Sequence, residues 1–128
     1  FPLRDEAEIF IGKRGVAVFC HAISEQNDCL LCSVYFRREL KKLGFDLDNL
    51  SFSYEELLLE RFGRALTKDA NGIGDELFGE FKNSFSEEEI VVLTSFAALM
   101  IATNLINKAL DIELDDGLQI YTKEEKPK

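Results

Sequence analysis

The stretch Ile90 to Ile106 most limits what this chain can fold into, because it runs without a charge through apolar residues broken only by Thr94, Ser95, Thr103 and Asn104. Ahead of it, Ser86 and Glu89 stand three apart as a capping box, which predicts a helix from about Glu87 to Leu110. That helix is the longest in the chain and apolar nearly all round. Such a helix has to be covered on several sides, by the rest of a bundle or by a second subunit, since exposed apolar area costs roughly 25 cal/mol per Å². The stretch is about the minimum for spanning a bilayer, but its four polar residues and the three glutamates before it weigh against that, and no membrane is expected as a partner.

The rest of the pattern is helical as well. Leu3, Ala7, Phe10 and Ile11, after Pro2, suggest a short helix over residues 1–11, interrupted at Gly12 and Gly15. Val16, Phe19, Cys20 and Ile23 recur at i, i+3, i+4 and i+7 with Ala17, Val18 and Ala22 beside them, so a largely buried helix is expected over about 13–26. Asn27 and Asp28 break it. The next helix should run from Cys29 to Leu43, with Asp28 as its N-cap and with Lys41, Lys42 and Gly44 as agreeing stop signals.

After a loop at 45–52, Ser53 and Glu56 repeat the capping box before a helix to about Thr67. Residues 68–74 read as a turn, Asp75 to Lys82 as a short helix carrying Leu77, Phe78 and Phe81, Asp115-Asp116-Gly117 as a turn, Leu118 to Thr122 as a short strand, and the remainder of the charged 113–128 segment as a frayed tail. The expected architecture is therefore all-α, five to six helices in one domain of 128 residues, enough to bury about two thirds of the unfolded surface.

Composition narrows the function classes. Acidic residues outnumber basic ones 24 to 15, for a net charge of −9, so a phosphate backbone is a disfavoured partner and no nucleic-acid binding is expected. Three cysteines are an odd number and do not resemble the disulfide framework of a small secreted domain. With no signal-like order in residues 1–13, a reducing, cytoplasmic setting is expected.

Two of the cysteines form the motif Cys29-Leu30-Leu31-Cys32. If Asp28 caps the helix, Cys29 is its first residue and Cys32 lies one turn on, near the positive end of the helix dipole, where a thiolate is favoured. Three readings stay open on the residues alone: a redox dithiol, half of a metal site, or buried structural cysteines. A metal site would lack ligands, since no second pair exists and His21 is the only imidazole; no metal or cofactor is expected. His21, with Glu25 at i+4 to orient or charge it, is either the one histidine available for acid–base work or the filling of a helix face. No Gly-rich phosphate loop and no Ser/His/Asp set is present.

The run Ile23 to Cys32 resembles the helix–Asn–x–Cys-x-x-Cys segment of the AhpD-like alkylhydroperoxidase and carboxymuconolactone decarboxylase family. The stretches Leu59 to Thr67, Phe85 to Ile90 and Thr103 to Leu110 are similar to that family's second helix pair and long closing helix, so that the likeness covers about residues 13–112. The resemblance implies an all-α fold, assembly as a homotrimer or homohexamer through the long helix, and reduction of a peroxide substrate by the cysteine pair. In that scheme Cys32 takes the peroxide, Cys29 closes the disulfide, and a dithiol reductant or reductant protein restores both.

On the residues themselves, the first helical position favours Cys29 as the more acidic thiol. The family's proton relay uses a Glu twelve residues before the first cysteine and a His four after the second, positions held here by Ala17 and Phe36. His21, one turn from Ala17 on the same helical face, is the candidate replacement, with Tyr35 as a weaker one. The catalytic set expected is thus Cys29, Cys32 and His21. A thiol–disulfide exchanger without peroxidase activity, or an oligomeric scaffold that has lost the relay, are the alternatives.

Overall fold

The computed structural model describes residues 2–114 and 116–122, which are helical apart from their connections: α1 (Pro2–Gln26), α2 (Leu30–Lys42), α3 (Tyr54–Lys68), α4 (Asp75–Ser84), α5 (Glu87–Ala109) and a terminal 3₁₀ helix (Asp116–Tyr121). The fold is all-α, as expected. Phe1, Asp115 of the anticipated turn, and residues 123–128 of the anticipated tail lie outside the described residues.

Chain punctuation accounts for most boundaries. Gly12, at φ 74° and ψ 173°, breaks α1 into the two segments its apolar spacing suggests. In both capping boxes the serine hydroxyl accepts from the glutamate amide while the glutamate carboxylate accepts from the serine amide, at 3.2 and 3.0 Å for Ser53/Glu56 and 3.1 and 2.9 Å for Ser86/Glu89. Gly44, at φ 98°, takes the left-handed position that ends α2, and the Phe45 amide returns to the Leu40 carbonyl in a Schellman closure.

The centre of the bundle is α1, against which α2, α3 and α5 all pack. Every residue from Gly15 to Ser24 is buried, so this helix, rather than α5, is the one enclosed on all sides. Small residues permit the enclosure. On α3, a Cβ at Gly63 would stand 3.2 Å from Ile23 Cγ1 and 3.3 Å from the Phe19 ring, so any larger residue would make those side chains give by a few tenths of an ångström. Phe19, Ile23, Leu58, Leu59, Phe62, Phe81, Leu93 and Phe96 form the main core, with Phe62 and Phe81 stacked at 3.9 Å between ring centroids.

Helix α5 departs from expectation in its covering. Of its residues only Leu93, Phe96, Ala97 and Asn104 are buried, while Val91, Leu99, Leu105 and Ile106 are exposed. By length and composition it is apolar enough to cross a membrane. A second departure is the expected strand at 118–122, which is the 3₁₀ helix instead. A lone strand would leave its backbone unpaired; here Leu118 is buried and Arg37 Nε of α2 donates to the Tyr121 carbonyl at 2.7 Å, docking the segment on α2.

Candidate functional site

The corner between α1 and α2 is built from two helix ends in series. The Cys29 amide donates to the Ser24 carbonyl and the Asp28 amide to the Glu25 carbonyl, a Schellman closure whose left-handed residue is Asp28, at φ 54°. Asp28 is thereby spent on ending α1 and does not cap α2, which corrects the sequence expectation. The N-cap is Cys29, extended at φ −90° and ψ 101°, and its Sγ accepts from the Cys32 amide at 3.4 Å. A sulfur does the work usually given to a serine or aspartate oxygen.

This shift decides which thiol is acidic. Cys29 stands just outside the helix and hydrogen-bonds the neighbouring sulfur; that bond to Cys32, reinforced by burial, pushes its thiol far up. Cys32 receives the bond. The Cys29 contact, opposed by burial and aided by the Asn107 and Asn104 amides, brings Cys32 down to about 6. Cys32 is lowered and Cys29 raised, the reverse of the order inferred from placing Cys29 first in the helix, and the Asn107 amide at 3.0 Å from Cys32 Sγ acts in the same direction. All three cysteines are free and buried.

Helix α5 supplies the other side of the site. Asn107 Nδ2 donates to Cys32 Sγ at 3.0 Å. One turn earlier the fully buried Asn104 donates to Ser24 Oγ at 3.1 Å and accepts from Asn27 Nδ2 at 3.4 Å, and Lys108 Nζ donates to the Asn27 carbonyl at 2.8 Å. These α5 residues went unassigned in the sequence. Their signal is there in the sequence, as two amides at i and i+3 near the end of a mostly apolar helix.

Cys32 lines a cavity of about 590 Å³ between α1, α2 and α5, onto which Leu118 of the 3₁₀ helix also closes. Ala17 and Phe36, the two positions where the resembled family carries its relay, are both in the wall of this cavity, together with Cys20, whose thiol burial pushes well up. His21 is elsewhere. It lines a separate cavity of about 240 Å³ with Arg37 and Arg64, its Nε2 3.8 Å from Glu25 Oε2, and Glu25 in turn takes Arg64 Nη2 at 2.6 Å. The structure therefore brings Cys29 and Cys32 together and leaves His21 on another face of α1, because Ala17 and His21 diverge enough over one turn to face different neighbours. Tyr35 does line the cysteine cavity.

Among the described residues no group of three or more His, Cys, Asp or Glu side chains is gathered as a metal site. Comparison with family models, with curated proteins and with solved structures yields no match, so what this site does has to follow from its own geometry.

Proposed function

We propose that the chain is an AhpD-like dithiol peroxidase in which Cys32 is the peroxidatic sulfur and Cys29 the resolving one. The observation that carries this reading is the asymmetric pair itself: Cys32 lowered to about 6 by a Cys29 thiol that keeps its proton, opening on a cavity of substrate size. The Cys32 thiolate attacks the outer peroxide oxygen, the O–O bond breaks, and the alcohol or water leaves with a proton. Cys32 is then a sulfenic acid. Cys29 condenses with it, an S–S bond forms and water departs. A dithiol reductant takes the disulfide back to two thiols and is itself oxidised.

With Ala17 and Phe36 in the wall, the two positions of the resembled family's Glu and His relay carry no group that moves a proton, although Glu8 and Glu39 also line the cavity. Cys29, whose thiol is hydrogen-bonded to Cys32, is the proton donor this scheme uses. Giving its proton to the leaving oxygen leaves Cys29 as the thiolate that the next step requires. Because a positioned acid contributes about 10²–10⁴-fold, turnover should be slow beside a pair that retains a full relay.

That same loss favours a second reading, thiol–disulfide exchange without peroxide turnover, since exchange needs the low-pKa thiolate but no proton delivery to oxygen. Assembly as a homotrimer or homohexamer through α5, and a reducing cytoplasmic setting, belong to the peroxidase reading. Peroxide consumption with a dithiol reductant separates the two: loss of turnover in both Cys29→Ser and Cys32→Ser supports the peroxidase, cycling of the disulfide without turnover supports exchange, and thiols inert to both refute both.

A further inference from the structure

We propose that Asn107 is a positioning residue that sets the reactivity and redox balance of Cys32 by donating a permanent hydrogen bond to its sulfur. The inference rests on the redox reading of the pair. Its geometry is a 3.0 Å contact from Nδ2 to Sγ, delivered from α5, whose Asn107 lines the same cavity as the sulfur. A carboxamide donates at every pH and accepts no proton from the sulfur, so the thiolate it holds stays available to an oxidant.

The donor is held in place from both sides along α5. Asn104, one turn before, is locked to Ser24 and Asn27, and Lys108, next in sequence, is tied to the Asn27 carbonyl. The end of α5 is therefore clamped to the corner that carries both cysteines, which keeps Asn107 in register with Cys32. The titratable and charged groups that share the cavity are Arg4, Glu8, Lys13 and Cys20 from α1 and Glu39 and Tyr35 from α2, none of which is a cause of the Cys32 shift. Cys29 and the α5 amides are left as the directed terms.

Stabilising the thiolate stabilises the reduced pair. The bond thus makes the Cys29–Cys32 disulfide more oxidising and makes Cys32 the better leaving group when the reductant attacks. Replacing the donor by an acceptor reverses both effects.

The test is the pH profile of Cys32 alkylation by iodoacetamide in the full chain, resolved by peptide mass, for wild type, Asn107→Gln, Asn107→Leu and Asn107→Asp, with Leu105→Ala as a control on the exposed side of α5. Expected is a midpoint that rises by about one unit in the leucine variant, tenfold in the ionisation constant, and further in the aspartate variant, with glutamine closest to wild type. The glutathione equilibrium should move toward disulfide in the same order. Aspartate matches asparagine in shape, so it tests the charge even where leucine perturbs folding. Equal midpoints in wild type and Asn107→Asp would overturn the proposal, as would variants that lose thermal stability without moving the midpoint. Neither readout uses peroxide, so failure of the peroxidase reading leaves this result intact and distinguishable.

Discussion

At the scale of single residues the site turns on one backbone decision, the use of Asp28 in the left-handed conformation that ends α1. It places Cys29 rather than Asp28 at the N-cap and so makes Cys32 the acidic thiol. The pH dependence follows with its sign. Thiolate is the reactive form and is present above about 6, so the second-order rate of Cys32 with peroxide or iodoacetamide should be level between pH 7 and 8 and fall tenfold per unit below the midpoint. Stopped-flow alkylation across pH 4–8 checks it. An ordinary thiol would still be rising at pH 8.

His21 offers a second prediction at this scale. Since it lines the cavity beside Arg37 and Arg64, His21→Ala should leave the Cys32 midpoint and peroxide turnover unchanged while lowering thermal stability, as loss of a buried side chain does. A shifted midpoint would restore it to the relay. The two cysteines were legible in the sequence as a motif, but their order of acidity was not. That order depends on which of two adjacent residues takes a positive φ, and both Asn27 and Asp28 have side chains that tolerate it.

At the scale of elements, the capping boxes at Ser53/Glu56 and Ser86/Glu89 were readable because both partners lie within four residues of each other. The 3₁₀ helix was not. Its apolar and polar residues alternate like those of a strand, and only contact with α2, distant in sequence, decides between the two. Glu56 shows how an element end gains a tertiary role. Its carboxylate accepts from Ser53 and also from Arg14 Nε at 2.9 Å and Nη2 at 3.3 Å, while the Arg14 guanidinium lies 4.0 Å over the Phe45 ring.

The hydrogen bond from Arg14 is the main reason the Glu56 carboxyl lies below its ordinary value. A depressed carboxyl contributes stability that is complete above the unfolded value and lost as pH falls through the folded one. Arg14 is half exposed, so the contribution is small. Glu56→Ala should cost about 1–2 kcal/mol in urea unfolding at pH 7, mostly through the lost cap, and that difference from wild type should shrink at pH 3. A constant difference at both pH values would show that charge plays no part.

At the scale of the whole molecule, the sequence anticipated an all-α bundle and a long apolar helix, but not that α1 would hold the centre and α5 the outside. Apolar content was the misleading cue. Small residues at Gly15, Ala17, Ala22 and Ser24 let neighbours close around α1, and packing on that scale is invisible to a count of hydrophobic side chains. What α5 leaves uncovered, with Leu105 59% and Ile106 58% exposed, suits a contact with another copy of the chain. Ile106→Glu should lower the mass measured by light scattering to that of one chain. A wild-type chain that is already monomeric would remove α5 as the assembly surface.

The central claim, that Cys32 and Cys29 form a peroxide-driven disulfide, is tested most directly by adding one equivalent of peroxide to the reduced chain and measuring intact mass, free thiols and disulfide-linked peptides. The account predicts consumption of one peroxide per chain, loss of two hydrogens, a Cys29–Cys32 linkage, and one remaining thiol at the buried Cys20. Three free thiols and unconsumed peroxide would contradict it.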